Sequence, residues 1–331
     1  SFMRLILRTL LAIIATALLV IIGLVVAYWA PDLPVEALKS KWAAPPSQFI
    51  ALNGMQVHVR DEGPRNDLTP IVLLHGTSAS LHTWDGWVSK LAKERRVIRY
   101  DLPGFGLTGP SPTDDYRLDS YTKFVVAMLD VMNVKKVILA GNSLGGNLAW
   151  ATAATYPDRV ERLILVDAGG YAFTPASVPL GFRIAQMPAM HQLMSRILPR
   201  GVIEGSVKNV YGDPSKVTAD LIDRYYDLAL REGNGQSFRQ FTRPLNLKLG
   251  KRHISLVIDQ LYDTEQVAVI GIENRGSQHL LGAVTGTFVD FLEKVHLFAV
   301  LPELDIIINI TEIDDGLCMG SVAGNALLGN R

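Results

Sequence analysis

Ser143 is fenced by glycines in "AGNSLGG" (140–146), and seven histidines are scattered along the chain. A serine hydroxyl becomes a nucleophile when a histidine takes its proton and a carboxylate holds that histidine in the right tautomer. The chemistry such residues offer is acyl transfer, in which donors must be aimed at the oxyanion that develops on the attacked carbonyl. Gly141-x-Ser143-x-Gly145 has the pattern of a nucleophile elbow, a strand-to-helix reversal so tight that flanking side chains would collide. "KKVILA" before it reads as a strand and "LGGNLAW" after it as a helix. The Leu144 N–H and the positive end of that helix would then face the oxyanion. A second donor loop is "LLHGTSAS", where Thr77 follows His75-Gly76 at the end of an earlier strand. His75 itself reads as a structural residue of that loop.

These residues need a scaffold, and 331 residues at 48% hydrophobic are enough to bury one. A formal net charge of zero argues against a nucleic-acid partner. The single cysteine, Cys318, excludes a disulfide framework and a thiolate metal site. Residues 9–30 carry no charge and would span ~33 Å as a helix, matching a bilayer's ~30 Å core. Arg4 and Arg8 precede this run, and Tyr28 and Trp29 stand where an interfacial belt would be. The run is longer than a signal-peptide core and lacks a small-x-small cleavage site, so it reads as an uncleaved single-pass anchor. The positive-inside rule leaves the N-terminus cytoplasmic and puts the rest on the outer side.

After the anchor, "APDLPVEALKSKWAAPPSQ" carries four prolines and reads as a tether. "FIALNGMQVHVRDEG" fits two strands joined at Asn53-Gly54. "IVLLHG", "RVIRYDL", "KVILAG" and "RLILVDA" are short apolar runs, alternating with helical stretches near 84–93, 119–132 and 144–156. That alternation means crossover units and a mostly parallel sheet with an antiparallel N-terminal hairpin. Residues 171–243 are helical and amphipathic without an intervening strand, which reads as an all-helical cap over the strand ends. The domains expected are an anchor (1–30), a linker (31–47), a first core part (48–170), the cap (171–243) and a second core part (244–331).

"HGTSASLHTW", "DLPGFGLTG", "GNSLGG" and "LILVDAGGY", in that order and spacing, resemble the α/β-hydrolase superfamily, nearest to its membrane-anchored or secreted bacterial members with a helical cap. The resemblance runs from about Phe49 to Arg243. It implies Ser143 as nucleophile and the Thr77 and Leu144 N–H groups as the oxyanion hole. Serine at position 143 argues against the dehalogenase and epoxide-hydrolase branches, which carry aspartate there. Asn142 stands where many relatives have histidine.

Beyond Arg243 the resemblance fades, and two threadings compete. In one, "ISLVIDQLYD" and "VAVIGIENRGSQH" are the seventh and eighth strands, with Asp263 as acid and His279 as base. Only Asp259–Glu265, seven residues, would separate their apolar runs, too few for a parallel crossover. In the other, "VAVIGIE" is strand seven with Glu273 as acid, 279–299 is a crossover helix and "DIIINIT" is strand eight, which leaves no histidine after it. His279 is the base by elimination, Asp263 its partner, and Glu273 and Asp167 are reserve acids. The atypical second part also admits a degraded or frame-altered reading.

The function expected is a serine hydrolase of carboxylic esters or related acyl compounds, working through a Ser143 acyl-enzyme, with no metal or organic cofactor. Its partners would be a small acyl substrate and, through the N-terminal helix, the membrane. The alternative is a non-catalytic scaffold of the same fold that binds an apolar ligand.

Overall fold

The computed structural model describes residues 2–166, 168, 197–211 and 213–235, and the backbone of 267–275, 278–284, 299–301 and 306–308. Strands β1 (Gln48–Leu52) and β2 (Met55–Glu62) form the expected hairpin, closed by the Leu52–Met55 pair. Asn53 (φ 51°) and Gly54 (φ 77°) both take the left-handed conformation. A two-residue turn demands this if it is to match the twist of its strands.

Strands β3 (Ile71–Leu74), β4 (Val97–Tyr100), β5 (Val137–Asn142), β6 (Val160–Val166), β7 (Val267–Arg275) and β8 (Gln278–Val284) complete an eight-stranded sheet in the order β1-β2-β4-β3-β5-β6-β7-β8. From β4 to β7 neighbouring strands are parallel, while β2 and β8 run antiparallel to β4 and β7. The apolar runs are continuous because both faces are covered. Val72 and Leu74 pack on one side with Val125 and Met128 of α4 (Leu118–Val131) and Leu148 of α5 (Leu144–Thr155). Ile71 and Leu73 point the other way, to Trp84 and to Trp87 and Val88 of α3 (Asp85–Leu91). This period-two alternation is what a strand between two helical layers requires.

Order reverses beside β3: β4 lies on one flank and β5 on the other. The C-terminal ends of β3 and β5 therefore open a crevice at a topological switch point, the usual ligand position in such sheets. Helices α6 (Arg200–Val210) and α7 (Ala219–Ala229) belong to the region expected to form a cap. Residues 171–196 and 236–243 of that region lie outside the described residues.

The N-terminal helix α1 (Phe2–Ala27) is long and apolar enough to cross a membrane, with a mean hydropathy of 3.1 over an 18-residue stretch, none of it buried. The segment after it, read from its prolines as a tether, contains a helix. Val35–Trp42 forms helix α2, and its Leu38 packs with Leu107 and with Leu228 of α7. The prolines fit this local design: Pro34 sits just before the helix, where its fixed φ costs nothing.

The C-terminal strands match neither threading in full. "VAVIGIE" pairs in parallel with β6, so it is the seventh strand. The next strand is its antiparallel neighbour Gln278–Val284, in a stretch where one threading has a crossover helix. Only two residues separate Arg275 from Gln278, which permits a hairpin and forbids a crossover. Part of "DIIINIT" is a strand, β10 (Ile306–Ile308), paired with β9 (Ala299–Leu301) in a separate two-stranded sheet.

Candidate active site

Ser143 joins the last residue of β5 to the first residue of α5. Its backbone has φ 51° and ψ −113°, a conformation that side chains other than glycine rarely adopt. The conformation is held from both sides: Ser143 N–H donates to Val166 O at 3.0 Å, and Asn147 N–H donates to Ser143 O at 3.0 Å. Ser143 stays half-buried while Asn142 and Leu144 on either side are buried. The bend thus presents the hydroxyl and hides its neighbours.

The glycines around it are required by contact. A Cβ at Gly141 would sit 2.1 Å from the Gly145 carbonyl oxygen, and one at Gly145 would sit 2.1 Å from that of Leu74. On Gly76, a Cβ would lie 3.2 Å from Ser143 Cβ, so the loop carrying Thr77 abuts the elbow. Leu144 is the first residue of α5, where backbone N–H groups lack intrahelical acceptors and the dipole favours negative charge.

Three of the seven histidines are described with both ring nitrogens engaged elsewhere. His75 Nδ1–H donates to Gly76 O (2.7 Å) and its Nε2 accepts from Leu102 N–H (2.9 Å). This is the loop-positioning role its place in the motif predicts. His82 binds Ser80 Oγ (3.1 Å) and donates Nε2–H to Trp42 O (3.0 Å). Burial lowers the pKa of both imidazoles, that of His82 to about 3. His58 lies between Asp101 Oδ2 on Nδ1 (2.8 Å) and Ser47 Oγ on Nε2 (2.8 Å). None of the three is available as a base for Ser143.

The Ser47–His58–Asp101 array copies the order of a catalytic relay in a different place. Asp101 also accepts from Leu81 N–H (2.7 Å) and Leu107 N–H (2.8 Å). Burial by itself would raise its pKa. The interactions with His58, with His75 and His82 nearby, override that and hold the carboxyl below the usual range. Ser47 Oγ in turn accepts from Arg60 Nε–H at 2.9 Å. Asp101 opens the "DLPGFG" motif, yet the motif alone assigns it no partner. The available signal was a carboxylate directly after a buried strand, where only hydrogen bonds can offset burial.

Asp263 and Asp167 lie outside the described residues, as do His191, His253 and His296. The backbone of His279 is on β8, opposite Asn274 of β7, and that of Glu273 is opposite Leu280. Ile270 is level with Val166 at the end of β6. The β7–β8 hairpin therefore runs past the C-terminal edge of the sheet, the edge that carries Ser143, with β7 two positions and β8 three positions from β5. Among the described residues no cluster could hold a metal ion.

A family model described as alpha/beta hydrolase fold matches residues 69–201. The 2-hydroxy-6-oxo-2,4-heptadienoate hydrolase of Pseudomonas putida is 34% identical over 129 residues, covering 38% of this chain and 46% of that one. The 2-hydroxymuconate semialdehyde hydrolase of a Pseudomonas species is 29% identical over 193 residues, covering 57% of this chain and 63% of its own. The matches thus span roughly half to two thirds of these relatives. In structure, Cfl2 of Burkholderia cenocepacia superposes with a TM-score of 0.55 at 22% identity, over 71% of this chain and 83% of Cfl2, a likeness of fold. The chain has the α/β-hydrolase fold, and its residues 69–201 match the model of that family.

Proposed function

We propose that this chain is a membrane-anchored serine hydrolase that cleaves carboxylic esters or related acyl compounds through an acyl-enzyme on Ser143. The observation that carries the reading is the strained, half-exposed serine at the strand-to-helix bend, with glycine where any side chain would meet backbone. Ser143 Oγ attacks the carbonyl carbon as its proton passes to a histidine. The oxyanion takes hydrogen bonds from the Leu144 and Thr77 N–H groups, the alcohol leaves with the proton, and water then releases the acid. A lost oxyanion donor typically costs ~10²–10³ in turnover.

His279 is the base in this reading. Its support is the engagement of His58, His75 and His82 elsewhere, together with a backbone register on the serine's edge of the sheet. Asp263 is its acid, with Glu273 and Asp167 in reserve. The two Pseudomonas relatives are named as hydrolases of an oxo acid and a semialdehyde, both carbonyl compounds. The N-terminal helix serves as the anchor, with Arg4 and Arg8 in the cytoplasm and the hydrolase domain outside.

Fluorophosphonate labelling tests the reading. The wild-type chain should label and turn over p-nitrophenyl butyrate, and Ser143→Ala should do neither. A wild-type chain that labels no better than Ser143→Ala points instead to the non-catalytic scaffold.

A further inference from the structure

The chain passes from the apolar helix straight into the helical region above the active site. One residue beyond α1, Tyr28 O accepts from Leu198 N–H at 3.3 Å, and Trp29 bridges to Ile197. Ala30 is already 3% exposed, whereas Tyr28 and Trp29 remain 45% and 49% exposed. Leu33 N–H then donates to Leu230 O (2.7 Å), and Glu232 N–H returns a bond to Leu33 O (2.9 Å). Asp227 of α7 accepts from Lys41 Nζ (2.8 Å) and Trp42 Nε1 (3.0 Å). From Ala27 to Ala30 an extended chain reaches at most ~11 Å. There is no slack in which the domain could swing away from the end of its helix.

The same helical region sits on the serine's side of the sheet. Asn234 Nδ2 donates to Gly106 O at 3.0 Å, in the loop that follows β4. Arg224 approaches Asp85 to 3.8 Å, just beyond the loop that follows β3 and abuts Ser143. The end of the apolar helix, the helices α6 and α7, and the C-terminal edge of the sheet thus lie on one side of the molecule.

We propose that the strut Tyr28–Trp42 holds α6 and α7 against the bilayer surface, and that the substrate is an acyl lipid taken from that bilayer. This deepens the anchored-hydrolase reading and rests on it. Tyr28 and Trp29 suit the interface, being apolar bodies with a polar tip. An ester whose acyl chain resides in the membrane enters the crevice from the face that the strut presses down. A water-soluble ester gains nothing from the strut.

The full chain in phosphatidylcholine vesicles tests this twice. In a Cys318→Ser background, bimane is attached at Gly201→Cys at the start of α6, or at Lys135→Cys just before β5 on the far edge. Nitroxide-labelled lipid should quench the first at least threefold more than the second, and equal quenching overturns the placement. Separately, twelve Gly-Ser residues are inserted between Ala27 and Tyr28. Hydrolysis of a monooleoyl ester in the vesicles should fall at least fivefold while turnover of p-nitrophenyl acetate stays within twofold. An unchanged vesicle rate overturns the lipid assignment with the hydrolase intact. If neither ester is turned over, the hydrolase reading falls and the substrate assignment with it. A mature chain found to begin beyond Ala27 removes the anchor itself.

Discussion

Among the described residues, Ser47 and Ser143 are equipped for chemistry in opposite ways. Ser47 has a histidine and a carboxylate in relay order, with every link at 2.8 Å, and a guanidinium on its oxygen. Ser143 has no described histidine at its hydroxyl but sits on strained backbone at the mouth of a crevice, beside a helix N-terminus. The Ser47 array spends its hydrogen bonds internally. Asp101 is shared among His58 and two backbone N–H groups, and His58 is fully buried beneath the stacked ring of Phe49. A relay becomes a catalyst through donors aimed at an oxyanion and room for a carbonyl, which the proposed function assigns to Ser143. At Ser47 the same residue types make a fastening between the N-terminal segment and the sheet.

The sharpest way to break this contrast is to remove each hydroxyl in turn. Ser143→Ala should lower fluorophosphonate labelling at least ~10³-fold, whereas Ser47→Ala should label like the wild type. Labelling mapped to Ser47 would reverse the assignment. Next in size, Asp101→Ala should cost about 3–5 kcal/mol of unfolding free energy in denaturant titration, because it strands a buried histidine and two buried N–H groups. Gly145→Ala should follow at about 1–3 kcal/mol, since the atom it meets is the Leu74 carbonyl oxygen, part of a strand that cannot yield.

A last effect, spread over several pH units, is in the acid limb of stability. His82 is lowered by burial to about 3, against about 6.5 in an unfolded chain. Between those values the unfolded state binds more protons, so its contribution is complete above about pH 6.5 and is lost as pH falls toward 3. The slope is at most ~1.4 kcal/mol per pH unit for one such group. His82→Gln should flatten the acid limb of a stability–pH curve over that window. An unchanged limb would mean that the imidazole is less well sealed than its partners imply.

Much of the fold was legible because local chemistry and global position agree. Asn53-Gly54 needs two left-handed residues and obtains them, and the apolar runs from Ile71 to Val166 are strands buried on both faces. The elbow was legible for the same reason: Gly141 and Gly145 answer to backbone atoms a few residues away or in the adjacent strand. The helix within the proline-rich stretch was not legible because what orders it is distant in sequence. Leu38 meets Leu228, and Lys41 meets Asp227, 186 residues on. No periodicity within eight residues reveals such partners. The C-terminal strands were ambiguous because a short apolar run fits a strand and a buried helix equally well. The register of β7 against β6 settled the seventh strand, and a gap of two residues settled the turn back into β8.

The fusion of α2 to α7 also bears on how a water-soluble version should be made. Cutting at Gln48, where the sheet begins, would discard Leu38 and Trp42 and leave Leu107 and Leu228 bare to solvent. It would also strip Ser47 from His58. Such a truncation should aggregate, and one starting at Ala30 should stay in solution.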